Sequence, residues 1–222
     1  MRVGKVEVAF LGHSGFMISN GMRVVIDPYN VSDKVDKADL VLVTHSHYDH
    51  CSIKDLEKVC KSGTIVVMPA DCQSKVNKIR GIEMQVVESG DKVEVGGVKI
   101  EAVPAYNLNK DYHPKSEGWL GYVVKMENVI VYHAGDTDKI PEMQKLTGYG
   151  KHGNEFVVLL PVSGKFVMNS EQAADVASLL SPHLAIPMHY GAGVAGTEED
   201  ARHFAELCEE KNIKTEVLES LK

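Results

Sequence analysis

The sequence has few cysteines, and none of them suits a disulfide framework or a thiolate zinc site. Its four cysteines form no CxxC pair within 222 residues. Scattered cysteines of this kind are typical of reduced thiols in a cytoplasmic protein. The first residues lack an apolar signal core, and no apolar run approaches the roughly 20 residues that span a bilayer. These absences predict a cytoplasmic protein with no membrane partner.

Clusters of positive charge are also missing. The chain has 24 lysines and arginines against 31 aspartates and glutamates, a formal net charge of -7. A surface that binds nucleic acid through charge needs a basic cluster. We therefore expect a small-molecule substrate and no nucleic-acid partner, and the sequence leaves an oligomer open. A bound metal ion could still supply positive charge for a phosphate group.

The length and composition suit one globular unit. Hydrophobic residues make up 44% of the chain and charged residues 25%, which is ordinary for such a protein. A chain of 222 residues can bury a sizeable core. No repeat, low-complexity tract or linker divides it. We expect a single domain over residues 1–222 that consists of two αβ halves.

Short apolar runs predict strands in the first quarter, over 6–11, 16–18 and 24–26. Asn20-Gly21 between two of these runs is a strong hairpin signal. The run over 40–43 lacks alternation and is typical of a strand that is buried on both faces. Ser52 can then cap a helix that extends to about Cys60.

The rest of the chain turns to alternating helices and strands. We expect a strand over 64–68 and a β-meander over 84–87, 91–95 and 98–103, with Gly96-Gly97 in its last turn. Further strands are predicted over 121–125, 129–133, 156–160, 184–187 and 214–217. Helices are predicted over 71–79, 140–146, 170–180 with Ser170 as its cap, and 198–211. The pattern predicts two packed β-sheets with helices outside, a four-layer α/β arrangement.

The most informative segment is His45-Ser46-His47-Tyr48-Asp49-His50, directly after a buried strand. Three imidazoles and a carboxylate packed so closely point to a bound cation. Because side chains alternate in extended backbone, His45 and His47 project to one side and can bind one ion together. Asp49 and His50 lie past the turn, which favours a second ion. A set of His and Asp without Cys favours an open catalytic site with a bound water molecule.

Two ions need more than four ligands, and the sequence offers three further candidates. Asp136 and His189 each follow a predicted strand, and His113 lies in the long central loop. Alone, Asp136 could be a turn residue and His189 a core histidine, and His133 could be either a ligand or structural. The prediction depends on the set and not on any one member.

With these motifs in place, the chain resembles the metallo-β-lactamase-fold hydrolase superfamily. The cluster at 45–50 is similar to the family's H-x-H-x-D-H motif. Asp27 matches an early aspartate that supports the metal loop from behind, Asp136 matches the bridging aspartate, and His189 matches the last histidine. The resemblance implies an αβ/βα sandwich of two mixed β-sheets flanked by helices, with metal ions at the sheet edges between the halves.

Within the superfamily, the chain is similar to small hydrolases related to the ascorbate-6-phosphate lactonase and N-acyl-phosphatidylethanolamine phospholipase D branches. One position departs from the family. Asn107 stands where the third histidine of the first metal is expected. Three alternatives follow: Asn107 supplies a weak oxygen ligand, His113 reaches in, or the first ion lacks a ligand. We favour His113, which could equally bind substrate.

The resemblance and the motifs together predict a metal-dependent hydrolase. We expect two divalent ions, Zn with Mn or Fe as alternatives, and a metal-bound hydroxide that attacks a carbonyl or phosphoryl centre. Asp49 would orient this nucleophile or relay its proton. His13 and Tyr190 lie beside motif residues and could contact the substrate or serve as structural hydrogen-bonding groups. The expected substrate is a small ester, lactone or phosphodiester; the alternatives are a nuclease and a non-catalytic metal-binding protein.

Overall fold

The side chains of the second strand alternate between the interior and the surface. In the computed structural model, which describes residues 1–221, Val6 and Val8 are fully buried and Glu7 between them is exposed. This alternation is typical of an antiparallel strand with one face on the core. By contrast, the strand that precedes the histidine cluster is buried throughout, as expected for a parallel strand covered on both faces.

Seven strands form the first sheet, and they follow one another in chain order. The first four pair antiparallel and the last four pair parallel, sharing β4. The strands are β1 (Arg2–Val3), β2 (Val6–Gly12), β3 (Gly15–Asn20), β4 (Met22–Ile26), β5 (Leu40–Leu42), β6 (Ile65–Met68) and β7 (Glu83–Val86).

Six strands form the second sheet, in the spatial order 13-12-11-10-9-8. It too begins antiparallel and ends with parallel pairs. The strands are β8 (Lys92–Val95), β9 (Val98–Pro104), β10 (Leu120–Met126), β11 (Val129–His133), β12 (Glu155–Pro161) and β13 (Leu184–Met188).

Helices cover the outer faces of both sheets. The larger buried apolar cluster includes side chains of both sheets, and the smaller one joins the first sheet to its own helices. The α-helices are α1 (Ile53–Val59), α2 (Gln73–Val76), α3 (Ser170–Leu180) and α4 (Glu198–Glu210), and 3-10 turns lie at Ala70–Cys72, Lys115–Glu117 and Pro141–Leu146. The predicted class, two mixed β-sheets flanked by helices, is confirmed.

Two local predictions match the structure closely. The hairpin between β3 and β4 turns at Gly21, whose φ is 80°, with Asn20 paired to Met22. Ser52 is the N-cap of α1, and its side chain accepts a hydrogen bond from the backbone N–H of Asp55. Both features depend on neighbouring residues, which is why the sequence indicates them.

Four other local predictions were wrong. The meander is split, because β7 pairs with β6 in the first sheet while β8 and β9 belong to the second. The helix over 71–79 is only a 3-10 turn followed by α2, which ends before Asn77, a weak helix former. Asn169 and not Ser170 caps α3, through a reciprocal bond with Gln172. The strand over 214–217 is a single bridge between Thr215 and Ala185.

The other whole-chain predictions are tested less directly. That the two halves make one domain stays a prediction. Lys222 lies outside the described residues. Within residues 1–221, no helix is long and apolar enough to cross a bilayer. All four cysteines are free and buried in this part of the chain. The cytoplasmic location stays a prediction.

Candidate metal centre

The predicted ligands come from both sheets and meet at one place. The histidine cluster follows β5 of the first sheet, and His113 lies in the loop between β9 and β10. Asp136 follows β11 and His189 directly follows β13. Because side chains placed just after the ends of strands meet at one edge of the sandwich, residues far apart in sequence become neighbours.

Three imidazole nitrogens converge in the first group of candidate ligands. His45 Nε2 lies 3.0 Å from His47 Nδ1, and His113 Nε2 lies 3.2 Å from that same atom. In a tetrahedral site with Zn–N bonds of about 2.0–2.1 Å, the nitrogens are about 3.3 Å apart. The spacing therefore fits one ion, and the three residues form a group that could bind one.

The outer nitrogens of two of these imidazoles are already engaged. His45 Nδ1 lies 2.9 Å from Thr44 Oγ1, whose hydroxyl donates to Asp27 at 2.5 Å. His113 Nδ1 lies 3.0 Å from the carbonyl oxygen of Phe166. Each bond assigns the proton to the outer nitrogen and leaves the inner one free as a metal ligand.

The second group contains His13, Asp49, His50 and His189, all buried. Asp49 Oδ2 lies 3.6 Å from His50 Nε2 and 4.0 Å from His189 Nε2. His13 Nε2 lies 2.9 Å from Asp49 Oδ2, so it contacts the carboxylate directly. His13 was expected only beside the ligands, and the structure makes it a member of this group.

Asp136 lies between the two groups. Its Oδ2 atom is 3.2 Å from His113 Nε2 on one side and 3.1 Å from His189 Nε2 on the other. Its Oδ1 atom lies 3.3 Å from His50 Nε2. A single carboxylate thus contacts both groups, which is the arrangement that a bridging ligand requires.

Asp27 lies behind the histidine cluster and is fully buried. Its carboxylate accepts bonds from the backbone N–H of Thr44 at 2.8 Å and lies 2.7 Å from His50 Nδ1. It therefore orients the loop and one imidazole without facing the candidate ion itself. This is the location that its match to the family's early aspartate implied.

Burial and neighbouring charges shift the pKa values of these groups in different directions. Burial lowers the pKa of His45 and His47, and lowers that of His13 to about 4. Burial alone would lower the pKa of His50, but the Asp136 and Asp27 carboxylates outweigh it and raise that pKa well above its ordinary value. These directions describe the protein without its ions.

The two carboxylates beside these imidazoles become stronger acids. Burial opposes ionisation of Asp136, but His189 and His50 hold its pKa well below the ordinary value. Burial also opposes ionisation of Asp49, yet the hydrogen bond from His13 lowers its pKa to about 2. Both side chains are therefore ionised at neutral pH and can act as anionic ligands.

Several buried polar atoms of the centre lack partners. Among the described residues, His50 Nε2, Asp136 Oδ1 and His13 Nδ1 make no hydrogen bond. An unpaired buried polar atom costs about 1–3 kcal/mol. A divalent cation bound to His50 Nε2 and Asp136 Oδ1 would give both atoms a partner. The residues present therefore fit the metal ions that the motifs implied.

Asn107 and His113 occupy different places at the departing position. The Asn107 amide donates to the carbonyl oxygens of Tyr112 at 2.8 Å and Phe166 at 2.7 Å. Its backbone N–H donates to the backbone carbonyl oxygen of His113 at 2.8 Å. Asn107 thus orients the loop that carries His113, and the ring of His113 joins the first group. Within residues 1–221, Asn107 Oδ1 is buried and has no hydrogen-bond partner.

His133 and Tyr190 belong to neither group of candidate ligands. His133 Nε2 donates to the carbonyl of Ser14 at 2.8 Å and its Nδ1 accepts from Gly135, so both ring nitrogens are occupied away from the ions. Tyr190 stacks on Phe10 with ring centroids 5.6 Å apart, and burial raises the pKa of its hydroxyl to about 12. It borders a cavity of about 1140 Å³ that also reaches His13.

Three residues that contact the candidate ligands were not predicted from the sequence. Ser163 lies with its hydroxyl 2.9 Å from His189 Nδ1, Thr44 contacts His45, and Trp119 packs against the first group. Ser163 and Trp119 carry no motif of their own. Thr44 directly precedes the cluster, and its position beside His45 was the one available signal.

Known proteins share the sequence and the fold of this chain. Residues 7–189 match the model of the beta-lactamase superfamily domain. A UPF0173 metal-dependent hydrolase of Pyrococcus furiosus is 34% identical over 216 residues, covering 93% of each chain. A crystal structure from Parabacteroides distasonis has a TM-score of 0.82 at 29% identity, covering 97% of this chain and 94% of that one. Igni18, a metallo hydrolase from Ignicoccus hospitalis, has a TM-score of 0.75 at 24% identity, covering 98% and 96%, and shows the shared fold.

Proposed function

Because the chain belongs to the metallo-β-lactamase superfamily of metal-dependent hydrolases, we propose that it hydrolyses a small ester, lactone or phosphodiester at a centre of two divalent ions. The observation that carries the proposal is the position of Asp136, whose carboxylate contacts His113 of the first group and both His50 and His189 of the second. A centre that bound a single ion would need no carboxylate between two groups of ligands. The lactonase and phospholipase branches stay predictions.

We assign the first ion to His45, His47 and His113, and the second to Asp49, His50 and His189. Asp136 is shared by both. When bound, the two ions supply an activated water nucleophile and stabilise the charge that develops on the substrate oxygen. Zn fits the nitrogen-rich ligands best, with Mn or Fe as alternatives.

Asp49 has a second task in this proposal. Its carboxylate is ionised and lies at the edge of the second group, where it can orient the attacking water or accept its proton. His13, 2.9 Å away, orients that carboxylate. Asp27 keeps His50 in the tautomer that presents Nε2 to the ion.

A cavity that borders the second group at His13 alone supports a small-molecule substrate. The cavity that reaches His13 and Tyr190 has a volume of about 1140 Å³, ample for a small organic molecule. The chain as a whole is acidic, with a net charge of -7, which supports a small substrate over a nucleic acid. The nuclease and the non-catalytic metal-binding protein remain the competing hypotheses.

The test is metal content and turnover measured on the same sample. We expect about two equivalents of divalent metal in protein purified without chelator, with turnover of a lactone or phosphodiester that is lost on chelation and restored by the ions. Asp49→Asn should lower kcat at least about 100-fold, which excludes a contaminating hydrolase. One equivalent or less, with no turnover after metal is added back, would contradict the proposal and favour the metal-binding protein.

A further inference from the structure

Trp119 is the only tryptophan of the chain, and its indole contacts all three imidazoles of the first group. The ring centroids lie 4.8 Å from His45, 4.7 Å from His47 and 5.3 Å from His113. The side chain is buried, with 8% of its surface exposed. A single large ring therefore forms one wall of the first metal position.

Three separate bonds fix the position of this ring. The carbonyl of Trp119 accepts from the backbone N–H of Ala105 at 3.0 Å, and the next residue, Leu120, donates to the carbonyl of Thr44 at 3.0 Å. The indole Nε1–H donates to Asp71 Oδ2 at 2.6 Å. The tryptophan is thus anchored to the second sheet, to the metal loop and to the 3-10 turn that precedes α2.

His47 differs from the other two imidazoles of its group. His45 and His113 each have an outer nitrogen bonded to a neighbouring oxygen. Within residues 1–221, both hydrogen bonds of His47 use Nδ1, the atom that faces the group, and its ring is only partly buried. In this part of the chain, no hydrogen bond from outside the first group therefore sets the rotation of the His47 ring.

The contact with Trp119 can set that rotation. An imidazole turns freely about its terminal torsion unless something restrains it. The indole meets the His47 ring edge-on at 69°, a favourable arrangement for two aromatic rings.

We propose that Trp119, oriented by Asp71, is the positioning residue of the first metal ion, because its indole takes the place of the outer hydrogen bond that His47 lacks. The inference rests on the proposed function, since it presupposes an ion at His45, His47 and His113. It assigns no contact with substrate to Trp119. Trp119 acts through the histidine ligands. It raises the affinity of the protein for the first ion and leaves its affinity for the second unchanged.

The test compares the two metal affinities in variants of the full chain. Zinc is titrated into metal-free protein in competition with a chromophoric chelator. We expect Trp119→Leu to weaken the first ion at least about 10-fold and to leave the second within about twofold, as for other residues that orient ligands. Asp71→Ala should weaken the same ion by a smaller factor. Asp71→Asn keeps an acceptor for the indole and should change neither affinity.

A matched control separates positioning from general packing. Phe204→Leu removes a buried aromatic ring from α4 and should lower stability without changing either affinity. Equal weakening of both ions in Trp119→Leu, or no weakening, would overturn the proposal. If Trp119→Leu does not fold, as judged by circular dichroism, Trp119→Phe and Asp71→Ala decide the matter on the same criteria.

Fluorescence gives an independent readout, because Trp119 is the sole tryptophan. In the wild-type protein, its emission should change with one of the two equivalents of metal, the one that fills the position at His45, His47 and His113, and stay constant with the other. A wild-type chain that binds no metal would defeat the proposed function. A wild-type chain that binds two ions, with emission that changes with neither of them, would defeat the role of Trp119 alone.

Discussion

At the residue scale, the proton position on each imidazole decides which nitrogen can bind an ion. Thr44, Phe166 and Asp27 occupy the outer nitrogens of His45, His113 and His50. Each bond leaves Nε2 directed inward. The chemistry of the centre therefore depends as much on these neighbours as on the ligands, a common property of metal sites.

His113 and Asn107 can be told apart by substitution. His113→Ala should remove a ligand, so that the bound metal falls from about two equivalents to about one. Asn107→Ala should leave the carbonyls of Tyr112 and Phe166 without their donor and weaken the first ion about 10-fold, yet the ion should still bind at saturating metal. Metal analysis after gel filtration measures both. The reverse result would make Asn107 the ligand.

Binding of the second ion should release a proton from His50. The pKa of His50 is raised well above its ordinary value, so the imidazole is protonated at neutral pH and Nε2 must lose its proton to bind metal. We expect about one proton per second ion, and an affinity for that ion that rises with pH below this pKa. Titration calorimetry in two buffers of different ionisation enthalpy counts the protons.

The first ion serves as the internal control for that measurement. Burial lowers the pKa of His45 and His47, so both imidazoles are already neutral at pH 7. Their ion should bind with little proton release. Equal release for both ions would contradict the contrast between the two groups.

At the scale of elements, the ends of strands place the candidate ligands, and hairpin turns set which residues pair across neighbouring strands. The ligand-bearing segments follow β5, β9, β11 and β13, so the sheet edges and not the helices position the centre. The β8–β9 hairpin lies at the far edge of the second sheet. Its turn residues, Gly96 and Gly97, have φ values of 55° and 84°, a conformation that favours glycine.

Gly97→Ala tests this turn. A Cβ at Gly97 meets no atom of residues 1–221 within 4 Å. The cost is therefore that of the positive φ, about 1 kcal/mol of the free energy of unfolding. Gly97→Asn should cost less, because asparagine adopts this conformation more readily. Urea unfolding measures both variants, and turnover should be unchanged because the turn is remote from the ligands. A loss of turnover without loss of stability would show that the hairpin affects the centre.

At the scale of the whole molecule, the candidate metal centre includes side chains from both halves of the chain. His45, His47, Asp49 and His50 extend from the first sheet, while His113, Asp136 and His189 follow strands of the second. Ions bound to both sets would act as cross-links between the sheets. Stability and metal occupancy should therefore change together.

We expect added zinc to raise the Tm of the metal-free protein. At 100 times the Kd, binding stabilises the folded state by about 2.7 kcal/mol, which corresponds to about 5–10 °C for a chain of this size. His189→Ala removes a ligand of the second half and should show a smaller increase. Scanning calorimetry with and without zinc at equal ionic strength measures the shift. An unchanged Tm in a protein that binds zinc would show that the unfolded chain binds zinc as tightly as the folded one, and would contradict the prediction.

The sequence by itself determined the features that depend on near neighbours. The ligands in the cluster at 45–50, the Asn20-Gly21 turn and the cap at Ser52 each involve residues within a few positions of one another. The superfamily and its fold class also followed from the sequence, because their motifs recur in order along the chain. These features need no knowledge of which strand lies beside which.

Only the tertiary structure decided what depends on distant pairing. It placed β7 in the first sheet and β8 in the second, since a short apolar run is equally suited to either. It brought His113 to His47 across 66 positions, kept His133 away from the ions, and set Trp119 against three imidazoles. The physical reason is that the pairing of strands brings the candidate ligands together at the strand ends. The number of residues between two ligands does not show which strands pair.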